Sequence, residues 1–377
     1  MGSLLTSFLK YINIGKSELP NFPCSATTNT TIRVTDLPCE VIIAVFKQLG
    51  HIQFLLPCLL TCRHFYHSYK ANPRLAIGII KRQVGPALLA YSIAVQEAGP
   101  HAQLSATELL EILRNKPDIL IDRLRDYPLT SLVQLGHTHD LVEKYANEFA
   151  EEAWGSTDKP VLQPIDRFPF GDLLYLSPAE EFRFYRAFYR HELYVRFFLE
   201  DNPQVMQLIK RFFRGHSPWE NEQLICVYDY LHSRQGISSI INNAGLTRHW
   251  RYGEKQFWIS RGLSLFNQLE NVTSYKELQL ILESNAPDLG QIRYPSIHGH
   301  SSDEAAESRH YYKSRGSLTA LDKDKEDRDE GPVTIWKELP SYGNKANRLC
   351  AYVLWDLTRI QKYDMLNFFL DNHGDEY

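Results

Sequence analysis

Four residues near the start of the chain carry the atoms of a metal site. Cys58, Cys62, His64 and His67 form a Cys-x3-Cys-x-His-x2-His cluster, and two thiolates with two imidazoles are a donor set for tetrahedral zinc. On continuous helix, however, steps of about 100° per residue set Cys62 and His64 about 200° apart, on different faces. His137-Thr138-His139-Asp140 is a second run of ligand types. It is truncated, and the pattern predicts exposed loop histidines between two helices, without the strand context that metal-assisted hydrolysis uses. His298-Gly299-His300 falls in a stretch expected to be mobile, where ligands are not preorganised. Gly-x-Ser-x-Gly, Gly-x4-Gly-Lys-Ser/Thr, His-Glu-x-x-His and Cys-x-x-Cys patterns are absent. The expected catalytic, cofactor and metal sets are therefore empty.

A different chemistry is suggested by Arg183, Arg186, Arg190 and Arg196, interleaved with Phe182, Phe184, Tyr185, Phe188 and Tyr189. Aromatic rings with basic residues between them suit a single-stranded nucleic acid. A formal net charge of −4 and a pI near 6.4 favour the alternative, a core helix whose arginine stems run out to solvent or meet carboxylates such as Glu180, Glu181 and Glu192. No nucleic-acid partner is expected.

The elements that would position any site are apolar and helical. The chain has 377 residues, 44% hydrophobic and 12% aromatic, enough to bury a sizeable core in one large or two medium domains. Its six cysteines are scattered, several inside apolar stretches, as in reduced compartments, so a cytoplasmic or nuclear protein without disulfides is expected. No apolar run approaches the length of a membrane span. Met1-Gly2-Ser3-Leu4-Leu5-Thr6 fits the myristoylation pattern and makes Gly2 a lipidation candidate, but no basic cluster supplies a second anchor, and an unmodified terminus is expected. The glycosylation sequons at Asn29 and Asn271 mean nothing without secretion.

The densest apolar stretch runs from Leu37 to Phe65. Pro38 suits a first helical position and Glu40 the first turn, where the helix dipole favours an anion. Val41, Ile42, Val45, Phe46 and Leu49 form a broad stripe, and Gly50 a stop. Leu55, Leu56, Leu59 and Leu60 make a second stripe, and Phe65, Tyr66 and Tyr69 a third. Helices this short and this apolar cannot bury their surface alone, which predicts a small module that completes its burial against another protein.

Leu37-Pro38-x-Glu40-Val41-Ile42, then Val45-Phe46, Leu49, Leu55-Leu56 and the ending Leu60-x-Cys62-Arg63-x-Phe65 together resemble the F-box. That is the motif by which substrate receptors dock on the Skp adaptor of Skp–cullin–F-box ubiquitin ligases. The later chain is similar, more loosely, to fungal F-box proteins of unassigned substrate, in Leu176-Ser177-Pro178 through Leu193-Tyr194, in Pro218 through Leu224, and in Tyr352 to Asp356. The resemblance implies adaptor contact by Leu37, Pro38, Glu40, Val41, Ile42, Val45, Phe46, Leu49 and Leu55. Val45 stands where isoleucine is commoner, and Pro57 should shorten the second helix.

Beyond the module, helices are predicted to follow helices. Ser105-Ala106-Thr107-Glu108, Ser177-Pro178-Ala179-Glu180 and Ser217-Pro218-Trp219-Glu220 are capping boxes. Leu129 to Leu135 and Asp140 to Trp154 are read as separate helices, Gly155 to Gly171 as a long connection, and Ala346 to Leu370 as one helix. The expected fold is all-α, an N-terminal three-helix F-box module followed by a large irregular helical domain with a mobile insertion. Its divisions are a segment and linker at 1–32, the F-box at 33–72, a helical, substrate-binding body at 73–284, a flexible charged insertion at 285–334, and a C-terminal helix at 335–377 packing on the body. No repeat at about 20–29, 40–45 or 50 residues marks a leucine-rich, WD-type or kelch receptor, which leaves the substrate open.

The resulting expectation is a non-catalytic substrate-receptor subunit of a Skp–cullin–F-box ubiquitin ligase. Its partners would be the Skp adaptor, through it a cullin, and a protein substrate. Two alternatives stand beside it: a scaffold binding the adaptor or another helical partner without degradation, and a helical enzyme of another type.

Overall fold

The computed structural model describes residues 37–99, 104–155, 173–198, 205–234, 261–285, 330–339 and 345–371. All regular structure among the described residues is helical, without strands, so the all-α class expected from the sequence is the one observed. Gly2 and the segment and linker at 1–32, most of the connection after Gly155, and the insertion up to residue 329 with His298 and His300 lie outside the described residues.

The chain begins with α1 (Cys39–Phe46), a 3-10 turn (Ile52–Phe54), α2 (Leu55–Thr61) and α3 (Arg63–Ala71). Pro38 sits just before α1, its carbonyl accepting from Val41 N–H at 3.0 Å and Ile42 N–H at 3.2 Å. Pro57 falls in the first turn of the seven-residue α2, where a backbone N–H has no intrahelical partner in any case. α4 (Arg74–Val84) and α5 (Pro86–Glu97) follow, joined at Gly85, whose φ of 75° lies in the left-handed region that glycine tolerates. α6 (Ala106–Asn115) opens with the Ser105–Glu108 capping box, both reciprocal bonds formed.

After α7 (Pro117–Arg123) comes α8 (Leu129–Trp154), one unbroken helix of 26 residues. The two helices expected here are thus one, and His137 to Asp140 are helical rather than a loop. α9 (Pro178–Phe198) is the central helix, packed against α5, α8 and α11 (Pro218–Ser233). Both start as expected: Ser177 and Glu180 exchange bonds of 3.0 and 3.1 Å, and Ser217 and Glu220 form a complete capping box. α10 (Val205–Arg214), α12 (Leu263–Asn271) and α13 (Tyr275–Asn285) complete this part. Buried Glu192 of α9 accepts the Leu263 N–H at 2.6 Å and so closes the start of α12.

The C-terminal part differs most from expectation. α14 (Glu330–Glu338) runs across the boundary drawn at residue 334, with Val333, Ile335 and Trp336 buried. The single helix expected from Ala346 to Leu370 is three, α15 (Lys345–Leu349), α16 (Leu357–Lys362) and α17 (Met365–Asp371), separated at Ala351 and Asp364, which have φ of 55° and 51°. Trp355 Nε1 donates to Cys350 O at 2.9 Å within the turn and Asn347 Nδ2 to Phe369 O at 3.0 Å across it, so a local and a tertiary bond together hold the folded-back turns.

One core runs through all of this, from Ile42 of α1 to Phe369 of α17. Its centre is aromatic: Phe149 stacks on Tyr230 with centroids 4.3 Å apart, and Trp154 meets Trp355 edge to face at 5.8 Å. The first three helices share this core with the body.

Candidate docking surface

The α1–α3 region turns some of its apolar residues inward and leaves others in solvent. Ile42, Phe46, Leu49 and Leu55 are buried. Phe46 packs edge to face on Phe65 of α3 at 5.4 Å. Leu37 is half-buried, and its carbonyl lies 2.8 Å from His64 Nε2, which ties the entry of α1 to α3. Arg82 of α4 donates to the carbonyls of Lys47 and Leu49, capping the other end of α1. Among the nine residues that the F-box resemblance nominates, Pro38, Glu40 and Val41 are exposed and Val45 is half-buried, while the four buried ones hold the helices in place.

Exposed apolar surface concentrates here. Of the ten large hydrophobic residues exposed among the described residues, five lie between positions 41 and 66: Val41 (42% exposed), Phe54, Leu56, Leu60 (78%) and Tyr66. Large apolar side chains left in solvent together mark interaction surfaces more often than singly scattered ones do. Leu56 and Leu60, four apart, share a face of α2. Sequence reasoning did not nominate Phe54, Leu56, Leu60 or Tyr66. The signal was present in the doublets Leu55-Leu56 and Leu59-Leu60, since adjacent helical residues point about 100° apart and a thin helix cannot bury both.

The metal-ligating residue types do not converge. Cys58 and Cys62 are half-buried, His64 is committed to the Leu37 carbonyl, and His67 is exposed beside Tyr66. Burial pushes the Cys58 thiol above its ordinary value, away from the thiolate a metal needs. Among the described residues no group of three or more His, Cys, Asp or Glu is arranged to hold a metal ion. His139, expected in a solvent-exposed loop, is instead a core residue of α8. Its Nδ1 lies 2.8 Å from the Tyr189 hydroxyl, and burial pushes its pKa down to about 4.

The arginines of α9 are not a surface either. Arg183, Arg186 and Arg190 are buried, so their stems do not run to solvent. Arg183 pairs with Asp356 and donates to Leu354 O at 2.9 Å. Arg186 pairs with Glu220 at 2.9 Å and bonds Gln223 at 2.8 Å, while Arg190 donates to Glu220 O and to Asn221 Oδ1. The ion pairs of Arg183 and Arg186 and the hydrogen bonds of all three tie α9 to α11 and to the C-terminal turns.

No protein-family model matches the chain, and comparison with curated proteins and with solved structures gives no match either. No helix among the described residues is long and apolar enough to cross a membrane.

Proposed function

We propose that the chain is a substrate-receptor subunit of a Skp–cullin–F-box ubiquitin ligase, docking on the Skp adaptor through α1 to α3 and presenting a captured protein on the helical body. The observation that carries this reading is the concentration of exposed apolar side chains at Val41, Phe54, Leu56, Leu60 and Tyr66, in the same stretch whose residue pattern resembles the F-box. The buried motif residues Ile42, Phe46, Leu49 and Leu55 act indirectly, by fixing the helices that carry Leu37, Pro38, Glu40, Val41 and Val45. The chain itself supplies no acid or base. Its contribution is proximity, since holding a lysine near a charged ubiquitin carrier raises the effective concentration of the reacting groups.

Affinity purification of the full chain tests this. Recovery of both the Skp adaptor and a cullin is the expected result, with both lost from Leu37→Ala/Pro38→Ala while helical content is unchanged. Recovery of the adaptor without a cullin would support the non-degradative scaffold, and recovery of neither would overturn both readings.

A further inference from the structure

A cleft of about 900 Å3 opens between α5, α6, α9, α10 and α11, within the size range of ligand sites. Tyr91, Leu110 and Phe182, all half-buried, and buried Phe212 give it an apolar and aromatic wall. Arg114, Arg211 and Arg214 line it as well, and all three are exposed. They stand in the last turns of the neighbouring helices α6 and α10, where the helix dipole favours a cation. The dipole accounts for their position but leaves guanidinium donors available: among the described residues neither Arg114 nor Arg211 has an ion-pair partner. At the inner end Arg186 and Glu220 neutralise one another, so among the described lining residues the exposed arginines set the sign of the cleft against the carboxylate of Glu111.

We propose that this cleft captures an acidic peptide segment of another protein, Arg114 and Arg211 taking its carboxylates and the wall of Tyr91, Phe182 and Phe212 taking a neighbouring apolar side chain. A guanidinium fork matches a carboxylate in two hydrogen bonds, and two forks beside an aromatic wall select a short chain carrying both kinds of group. A nucleic acid fits less well, because the chain is acidic overall, with a formal net charge of −4. The inference deepens the receptor reading by naming the chemistry of the captured protein; it rests on that reading for the fate of the captured protein and not for the binding step.

Fluorescence anisotropy on the purified full chain, without adaptor, decides it. The probe is a labelled peptide of Asp and Glu residues around one Phe, and the control has the same length with Asn and Gln in place of the acids. The acidic peptide is expected to bind, more weakly as salt rises, and the neutral one at least about tenfold more weakly. Arg114→Glu/Arg211→Glu should weaken binding at least about tenfold. Arg114→Gln/Arg211→Gln should weaken it less, and Arg74→Glu, exposed on α4 outside the cleft, should leave it unchanged, with all variants giving the wild-type circular dichroism spectrum. Failure of the acidic peptide to bind, equal binding of the neutral peptide, or undiminished binding by folded double variants would overturn the proposal. No adaptor is present, so none of these outcomes bears on adaptor docking.

Discussion

Ile52 rests directly on the bare backbone of Gly136: a Cβ at position 136 would stand 2.3 Å from Ile52 Cγ2. Around this contact Gln83 is a hub, accepting the Ile52 N–H at 3.0 Å and donating to Gly136 O at 3.3 Å and Asp140 Oδ1 at 2.7 Å. His51 Nδ1 reaches the same carboxylate at 2.9 Å. The turn that leads into α2 is thereby fixed to the long helix α8. The proposed receptor role would need such a joint, because a loose one would dilute the effective concentration it creates.

Gly136→Ala separates two opposing effects. In a helix interior alanine is favoured over glycine by about 1 kcal/mol, but here its methyl would also meet Gln83 Oε1 at 3.1 Å and Ile80 Cδ1 at 3.3 Å. Overpacking of this kind costs about 1–3 kcal/mol, so a net loss of about 1 kcal/mol is expected in urea unfolding. In an Ile52→Ala background the loss should shrink, a coupling that a double-mutant cycle measures.

Glu220 links a helix cap to a buried cation, holding Ser217 of its own capping box and Arg186 of α9. Glu220→Ala removes both and leaves a buried guanidinium without its counter-charge, a loss of about 3–5 kcal/mol. Arg186→Met/Glu220→Gln should recover most of it, because the charge leaves together with its partner. Chemical denaturation of the two variants side by side checks this.

The acid limb of stability should depend on His139 and His191. Burial pushes both down to about 4 from an ordinary 6.5. The unfolded chain therefore takes up protons that the folded chain refuses, so the stability these residues contribute is complete above pH 6.5 and is lost as pH falls toward about 4. Around His139 the nearby Asp140 opposes this shift and His51 reinforces it, but burial dominates. Each histidine should contribute a slope of about 1.4 kcal/mol per pH unit in that window. His139→Gln should make unfolding between pH 6.5 and 4 less pH-dependent by one proton, and His139→Gln/His191→Gln by two.

Local signals in the sequence were reliable where local chemistry decides. The boxes at Ser105, Ser177 and Ser217 mark true helix starts because the residues that satisfy the orphan N–H groups are three positions away. The division of α8 came from reading His137 to Asp140 as a loop of polar residues, whereas these residues are helical and His139 is buried against Tyr189. The breaks at Ala351 and Asp364 were invisible for a similar reason: the bonds that hold them come from groups folded back in space, such as Asn347 on Phe369 O. For the arginines of α9 the sequence suggested solvent or the nearby carboxylates Glu180, Glu181 and Glu192, because the partners they take, Glu220 and Asp356, are distant in sequence. At the candidate docking surface the pattern identified the helices but not which residue of each leucine doublet faces outward.

The candidate docking surface and its supporting core should respond oppositely to substitution. Leu55 is fully buried, so Leu55→Ala should cost about 2–5 kcal/mol of stability. Leu60 is 78% exposed, and Leu60→Asp should change stability by less than about 0.5 kcal/mol. Thermal melting of the isolated chain distinguishes the two.

The most direct test of the receptor reading is a titration of purified Skp adaptor into the full chain by calorimetry, comparing wild type with Val41→Asp/Leu60→Asp. A saturable complex is predicted for wild type and none for the variant, with both proteins melting at the same temperature. No heat of binding from a folded wild-type chain, or equal affinity in the variant, would contradict the receptor reading.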